Sequence, residues 1–221
     1  ELTKRVFKKD FRSIQPEESR VVLIEAADQL LGTYSEKSSE KALKDLRELG
    51  VEVILKSPVK DIREGEVEIE GQTIQAESII WTAGVQANPV LGQLPAEFDR
   101  QGRISVEADT SLPGFPEVFV IGDVANLTDA AGKRVPGVSP AAMQMGKHAA
   151  KIIQDELKGK KQVPVSERRP FKYLDKGTMA TIGRSKAVAE VAGLKFSGLF
   201  AWVLWLAVLL IFLVGFRTCE L

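Results

Sequence analysis

Hydrophobic and polar residues follow one another along the chain in blocks that predict a succession of strands and helices. Residues 20–25 (RVVLIE) and 118–121 (VFVI) are short, apolar and rich in β-branched side chains, as in strands buried on both faces. In residues 35–49, apolar side chains recur at helical spacing and Gly50 follows in a C-cap position, which predicts an amphipathic helix. Residues 141–158 are good helix formers throughout.

Shorter segments complete the predicted order of elements. The segments predicted as strands are residues 51–55, 59–62, 66–70, 72–76 and 78–81, the middle three forming a meander. Residues 1–14 have a helical pattern, residues 162–170 are a charged, proline-marked linker, and residues 171–192 resemble a hairpin that turns near Lys176-Gly177 and Gly183-Arg184. A β-α-β succession followed by a meander predicts a nucleotide-binding half-domain.

Composition excludes several classes of function. The 221 residues carry 30 basic and 30 acidic side chains, so the chain lacks the basic footprint expected of a nucleic-acid-binding protein. A single cysteine (Cys219) and a single histidine (His148) leave no disulfide framework, zinc cluster or redox cysteine pair. The chain opens without a methionine or a signal peptide, in what looks like a helix already under way, so we expect it to begin inside a domain.

The phrase EVFVIGDVA, residues 117–125, is the strongest candidate site. Gly122 would let a ligand approach the backbone closely, and the carboxylate of Asp123 would accept hydrogen bonds from ligand hydroxyls. The longer phrase, which includes SLPGFP before it, resembles the second flavin-binding motif of FAD-dependent pyridine-nucleotide oxidoreductases, in which the aspartate binds the ribityl chain. The alternative is a surface turn in which Asp123 is a helix N-cap.

A second candidate site lies at the end of the strand predicted at residues 20–25. In a dinucleotide-binding β-α-β unit, an acidic residue at the end of the second strand binds the adenosine ribose, and Glu25 stands in that position. Its charge would repel a 2′-phosphate, which favours NADH over NADPH. The glycine-rich loop of such a unit would lie upstream of Glu1, and a solvated strand end is the alternative interpretation.

Two further segments support a flavoprotein site. Thr82-Ala83-Gly84-Val85, after the strand predicted at 78–81, resembles the small-residue turn that in these flavoproteins marks the crossing from the NAD domain to the FAD domain, where backbones approach closely at Gly84. A plain turn after a strand would use the same residues. The predicted helix at 141–158 begins close to Asp123 in sequence, and its free N–H groups would stabilise an anionic flavin. Ala142, Met143 and Gln144 lie at its start, with Met143 and Gln144 exposed. We interpret His148, one turn later, as an ordinary surface residue outside the site.

Four phrases in order, WTAGV, VFVIGDVA, VPGVSPAAMQMGKHAA and DKGTMATIGRSKAV, resemble type II NADH dehydrogenase, the single-subunit, non-proton-pumping NADH:quinone oxidoreductase. The resemblance extends from Glu1 to about Arg217. It implies an FAD- and NADH-using enzyme in which Gln144 and Met143 line the quinone site and Lys176 lies near flavin and quinone. Some members have a second glutamine where this chain has Pro140.

The last apolar run, residues 196–216, has no charge between Lys195 and Arg217. A helix of this length, roughly 31 Å, would reach across a bilayer core. The family resemblance instead implies attachment to the membrane surface, at the cytoplasmic face, and we favour that interpretation over spanning or a buried core helix. Family members often have a histidine where this chain has Leu209, and continue past GFR, so both ends look cut.

The sequence thus predicts an α/β fold, a partial Rossmann-like flavoprotein with two dinucleotide-binding domains and a C-terminal membrane-associated helix. The predicted domains are an NAD(H)-binding domain (1–83), the C-terminal part of an FAD-binding domain (84–160) and a membrane-associating region (161–221). Expected partners are a membrane quinone, the lipid bilayer, and a second copy or a complementary N-terminal segment. Alternatives are a soluble ferredoxin- or rubredoxin-type reductase, or an inactive remnant without phosphate-binding loops.

Overall fold

The computed structural model describes residues 19–217, with side chains through residue 211. The predicted helix at residues 1–14 lies outside this range. The chain divides after Trp81 and after Asp175 into two compact units. Unit 1 contains residues 19–81 and 176–217, and unit 2 is Thr82–Asp175. The domain functions predicted for residues 1–83, 84–160 and 161–221 stay predictions, because these units are defined by packing alone.

Unit 1 begins with a β-α-β succession and a meander, as predicted. The bounds are β1 Val21–Ile24, α1 Glu36–Glu48, β2 Val51–Ile54, β3 Asp61–Arg63, β4 Glu66–Ile69 and β5 Gln72–Gln75. Strands β1 and β2 are parallel, and the second sheet has the order β3-β4-β5. Val67, Ile69 and Ile74 form a small core, against which Ile24 and Ile54 of the parallel strands pack. The β-branched composition of these strands fits their pleated, half-buried positions.

The C-terminal part of unit 1 is an antiparallel sheet followed by a helix. The bounds are β10 Thr178–Gly183, β11 Lys186–Val191, β12 Leu194–Ser197 and α3 Gly198–Arg217. Ala187 and Ala189 of the sheet are fully buried with Ala201 of α3, because three alanines let the helix approach the strands closely. The predicted turn at Gly183-Arg184 is confirmed, whereas the chain does not form a hairpin turn at Lys176-Gly177.

Polar contacts join α1 to this sheet. The Glu190 carboxylate accepts hydrogen bonds from the Ser35 backbone N–H at 3.0 Å, the Ser35 hydroxyl at 2.5 Å and the Ser38 hydroxyl at 2.6 Å. Hydrogen bonds from these serines lower the pKa of Glu190. Lys186 forms ion pairs with Glu48 at 2.5 Å and with the fully buried Asp45 at 3.4 Å. The helix predicted from the 35–49 pattern is therefore held to the sheet at both of its ends.

Unit 2 contains short strands and one long helix. The bounds are β6 Ile104–Ser105, β7 Ser111–Leu112, β8 Phe115–Phe119, β9 Ala125–Asn126 and α2 Ser139–Gly159. Strands β6 and β9 are parallel, and β7 and β8 are antiparallel. Ile104, Leu112 and Met145 are fully buried in the core of this unit.

Two strand predictions are wrong in detail. Residues 78–81 form no strand: Ile80 and Trp81 are 83% and 61% exposed, and no strand pairs with this segment among the described residues. A strand needs a neighbouring strand to which its backbone N–H and C=O groups can bond, and an apolar composition does not supply one. Residues 118–121 were expected in a parallel strand buried on both faces. Instead β8 ends at Phe119, pairs antiparallel with β7 after a Pro113-Gly114 turn, and leaves Glu117 exposed.

Helix α3 spans 20 residues. One side faces the sheet, and Leu199, Phe200 and Val203 on another side are exposed. In the part of the chain whose side chains are described, no helix has the length and apolar character needed to cross a membrane.

We predict that Gly177→Ala will strongly destabilise the protein. An added Cβ would lie 2.3 Å from the Glu190 carbonyl oxygen and 2.8 Å from the Val191 Cα, both backbone atoms, and φ is +94°. We expect a loss of about 3 kcal/mol or more in the free energy of unfolding, measured by thermal and urea unfolding.

Gly193→Ala is the matched control. Gly193 also has a positive φ, +80°, but an added Cβ would meet no atom within 4 Å. It should cost only the backbone strain, roughly 1 kcal/mol. Equal losses in the two variants would show that the close contact at Gly177 has no energetic consequence.

Candidate functional site

The Gly122-Asp123 turn packs directly against the start of α2. Gly122 has a φ of +75°, a conformation that L side chains rarely adopt. A Cβ added to Gly122 would lie 3.4 Å from the Cβ of Ala142. The turn therefore requires glycine because of its positive φ, and an added Cβ would come into van der Waals contact with the helix. The predicted role of Gly122, close approach of a ligand to the backbone, stays a prediction, because the approach seen here is that of α2.

The Asp123 carboxylate is exposed beside this contact. Residues Gly122–Val124 form a single 3₁₀ turn whose N-cap is Ile121, so Asp123 is not a helix N-cap. Among residues 19–217, no group donates a hydrogen bond to its carboxylate. Gly137 lies against it, since an added Cβ there would be 3.6 Å from Asp123 Oδ1. The carboxylate is thus available to hydroxyl groups of a ligand.

Helix α2 begins beside this carboxylate without a side-chain cap. Val138 is the N-cap residue and makes no side-chain hydrogen bond to the first turn, where Pro140 follows. The N–H groups of Ala141 and Ala142 both bond to the Val138 carbonyl, at 3.0 and 3.1 Å. Because these N–H groups are already bonded and Pro140 has none, the helix dipole is what makes this end suited to an electron-rich group. Met143 is exposed in this turn, as predicted.

Gln144 makes an interaction that the sequence did not predict. Its amide nitrogen donates to the Leu174 carbonyl at 3.0 Å, and its amide oxygen accepts from the Leu174 N–H at 2.9 Å. The side chain thereby pairs with the main chain as a neighbouring strand would. Gln144 was expected to be exposed in the first turn of the helix, and it is instead half-buried and holds the segment that ends in Asp175.

Residues 168–174 form an extended strap across unit 2. Its first residue, Arg168, lies in the segment predicted as a charged linker, yet its side chain is only 1% exposed. Arg168 pairs with the equally buried Asp109 at 2.9 Å and with Glu156 at 2.7 Å, and donates to the Pro116 carbonyl at 2.7 Å. Its guanidinium also lies 5.4 Å from the centroid of the Phe119 ring. The linker prediction is therefore wrong for Arg168, because paired charges can be buried.

The rest of the strap is held through its backbone. The Phe171 N–H donates to the Ala108 carbonyl at 2.7 Å, and the Phe171 carbonyl accepts from Ala130 at 3.1 Å. Further along, the Tyr173 N–H donates to Asp129 at 3.3 Å. Phe171 and Tyr173 alternate with the exposed Lys172, a period-two pattern that could have predicted an extended, half-buried segment.

Asp109 has a pKa below its ordinary value. Burial raises the pKa, but hydrogen bonds from Ser111 and Arg168 favour the charged form and outweigh it. Because the folded-state pKa is depressed, Asp109 stabilises the fold fully above its unfolded-state pKa, near 4. That stabilisation is lost as the pH falls through the lower folded-state value.

His148 is half-buried rather than a surface residue. Its ring meets the Phe171 ring edge-on, with centroids 5.5 Å apart, and its Nε2 is buried without a partner. Burial lowers the pKa of His148, despite a hydrogen bond with the Arg169 backbone. The interpretation of His148 as an ordinary surface histidine is wrong, because the strap covers it.

Three further candidate residues lie outside the Gly122-Asp123 turn and the start of α2. Gly84, in unit 2, is exposed with a φ of +85°, and an added Cβ would meet nothing within 4 Å. Glu25, in unit 1, accepts a hydrogen bond from the Ala27 N–H at 2.9 Å through Oε1. Lys176, also in unit 1, is exposed beside the tightly packed Gly177. The structure therefore brings together Gly122, Asp123, Ala142 and Met143 within unit 2.

The fold and this turn define a class of protein. The chain belongs to the pyridine nucleotide-disulphide oxidoreductase family, whose sequence profile matches residues 10–146. The family match confirms the expected α/β fold.

Within that family, the chain is similar to type II NADH:quinone oxidoreductases. It is 38% identical to Ndh and 39% identical to NdhA of Mycobacterium tuberculosis, over 99% of this chain and 47% of each of those proteins. It is 30% identical to the Staphylococcus aureus type II NADH:quinone oxidoreductase over 81% of this chain and 44% of that protein. The resemblance seen in the motifs is confirmed, and the chain spans about half the length of these relatives.

A solved structure has the same fold. NDH2 from Plasmodium falciparum in complex with NADH superimposes with a TM-score of 0.80 over 94% of this chain and 57% of that chain. The sequence identity is 14%, so the likeness concerns the fold alone. Reduced CoADR-RHD of Bacillus anthracis is a more distant match, with a TM-score of 0.62 over 80% of this chain.

We predict that Arg168→Met will destabilise unit 2. The variant keeps the apolar stem but removes the charge, so Asp109 stays buried without its cation and Pro116 loses a donor. Breaking a buried pair in this way should cost about 3 kcal/mol or more, measured as the free energy of unfolding in urea.

The neighbouring Arg169→Met is the control, because Arg169 is exposed. It should change stability by no more than about 0.5 kcal/mol. A wild-type unfolding curve for Arg168→Met would contradict a structural role for the buried pair.

Proposed function

We propose that this chain forms part of an FAD-dependent NADH:quinone oxidoreductase. The observation that carries the proposal is the contact between the Gly122-Asp123 turn and the first turn of α2, which leaves a free carboxylate and an uncapped helix end side by side. The 38% identity to Ndh of Mycobacterium tuberculosis, a type II NADH:quinone oxidoreductase, supports the choice of substrates.

The residues of this turn fit FAD. Asp123 would accept hydrogen bonds from ribityl hydroxyls, since its carboxylate has no donor among the described residues. Gly122 would leave room for the ligand beside the backbone, and the start of α2, at Ala142 and Met143, would stabilise negative charge through the helix dipole. When bound, FAD would supply the two-electron redox chemistry that links the two substrates.

NADH would bind on the Glu25 side. The Glu25 carboxylate is fixed by the Ala27 N–H through Oε1, and Oε2 accepts no hydrogen bond from a described residue. An oriented carboxylate of this kind would accept hydrogen bonds from the ribose hydroxyls, and its charge would disfavour a 2′-phosphate. Gly84 would belong to the crossing between the NADH-binding and FAD-binding parts.

The quinone would bind near Met143, Gln144 and Lys176. Met143 offers an exposed apolar, polarisable contact, and Gln144 fixes the backbone of Leu174, two residues before Lys176. Gln144 would act on the quinone site through its two hydrogen bonds to Leu174. Lys176 would supply the positive charge near the acceptor.

The enzyme would reach its quinone by lying on the cytoplasmic face of the membrane. The exposed apolar side of α3 supports this attachment, because Leu199, Phe200 and Val203 would otherwise face water.

The test is a two-stage spectroscopic experiment on the chain reconstituted with FAD in detergent. NADH should bleach the visible flavin absorbance, and a short-chain quinone should then restore it. Failure to retain flavin, or retained flavin that NADH does not bleach, would contradict the proposal.

The same experiment separates the role of Gln144. Gln144→Ala removes both hydrogen bonds to Leu174, so the quinone-dependent stage should slow by roughly tenfold or more, while bleaching by NADH stays within about twofold. Gln154→Ala, at an exposed position on the same helix, is the control and should change neither stage. Equal losses in both stages would contradict the assignment.

A further inference from the structure

A basic groove lies in unit 1 between α1 and β12. Its volume is about 310 Å³, and it is lined by Lys37, Ser38, Glu40, Lys41, Lys44, Lys195, Phe196 and Ser197. Four lysines and one glutamate give it a strong positive charge, although the chain as a whole carries equal numbers of basic and acidic residues. The groove is therefore a local concentration of cations.

Three of these lysines lie outside any close ion pair, although Lys44 attracts Glu48 and Lys195 attracts Glu190, the residue opposite it on β11. Lys37, Lys44 and Lys195 are exposed and form no ion pair with any residue of the described range. Lys41 differs, because it binds the buried Asp45 at 2.5 Å. Lys37, Lys41 and Lys44 stand at positions i, i+4 and i+7 of α1, so the helix presents them on one face. Lys195 reaches the groove from the facing strand.

The groove is continuous with the exposed apolar side of α3. Phe196 lines the groove, and its ring lies 5.2 Å from that of Phe200, which is 63% exposed on α3. Ser197, also in the lining, is followed directly by Gly198, the first residue of α3. Within unit 1, exposed lysines therefore stand next to the exposed apolar side of α3.

We propose that this groove binds the phosphate head groups of anionic membrane lipids while α3 lies among their acyl chains. A bilayer of anionic lipid offers both complements at once, a sheet of negative charge and an apolar layer beneath it. A soluble anion would account for the lysines but not for Phe196, Phe200 and the apolar residues that follow. The inference rests on the proposed membrane attachment and adds the class of lipid.

The charge should dominate binding to anionic bilayers. Each lysine near such a surface contributes severalfold to the partition coefficient, so three together contribute on the order of 100-fold at low ionic strength. This contribution should shrink as salt shortens the screening length from about 30 Å at 0.01 M to about 3 Å at 1 M.

The experiment measures sedimentation of the full chain with two kinds of vesicle, pure phosphatidylcholine and a 3:1 mixture of phosphatidylcholine with phosphatidylglycerol. The variant K37Q/K44Q/K195Q leaves Lys41 and its partner Asp45 intact. The variant K147Q/K158Q/K161Q removes the same charge from exposed lysines of unit 2 and serves as the control.

We expect the groove variant to bind the anionic vesicles on the order of 100-fold more weakly, with binding to neutral vesicles unchanged. The control variant should keep at least tenfold more binding to anionic vesicles than the groove variant. Wild-type binding to anionic vesicles should fall steeply between 50 and 500 mM salt, a measurement that needs no variant.

Three results would overturn the proposal. If the wild type binds both vesicles equally, attachment through α3 stands but lipid selection by the groove is wrong. If the two variants lose the same amount, general charge and not the groove is responsible. If the wild type binds neither vesicle, the membrane attachment itself is wrong.

Discussion

The buried guanidinium of Arg168 is the interaction on which unit 2 depends. A charge with 1% of its side chain exposed is tolerated only when it is paired. Asp109, Glu156 and the Pro116 carbonyl are its partners, and they come from three separate stretches of chain. Nη2 of Arg168 lies 2.7 Å from Glu156 but makes no hydrogen bond. Asp109 shapes the turn before β7, Pro116 lies in β8, and Glu156 lies near the end of α2. The two structures that form the candidate site, the Gly122-Asp123 turn after β8 and the start of α2, are thus fixed to one cation.

Arg168 contacts α2 near its C-terminal end, and the rest of the strap contacts α2 nearer its start. Beyond Arg168 it covers His148 with Phe171 and ends where the Gln144 amide pairs with Leu174. A polar side chain that satisfies both main-chain groups of an exposed residue specifies one position for that residue. The strap, α2 and the Gly122-Asp123 turn are therefore linked by contacts within unit 2. The Asp123 carboxylate takes part in none of the hydrogen bonds of the described residues, so it is available to a ligand.

Local patterns predicted much of this fold, and long-range pairings explain most of what they missed. The helix at Glu36–Glu48, the meander and the long helix at Ser139–Gly159 follow from spacing, glycine stops and helix propensity, which act over a few residues. Gly122 and Asp123 were recognisable because a whole phrase surrounds them. The burial of Arg168 was not, because its partner Asp109 is 59 positions away and a charged segment ordinarily indicates solvent. Likewise the strand expected at residues 78–81 depends on a neighbour, which no local pattern contains.

The central claim is that Asp123 holds a flavin, and the most direct measurement is FAD affinity by fluorescence titration. Asp123→Asn removes the charge at a carboxylate that has no partner in the described chain, and Glu117→Gln makes the same change at an exposed residue of β8. Loss of a charge-assisted hydrogen bond predicts that Asp123→Asn weakens FAD binding by about 10-fold or more, with unchanged thermal unfolding of the flavin-free protein and unchanged affinity in Glu117→Gln. Wild-type FAD affinity in Asp123→Asn would contradict the account.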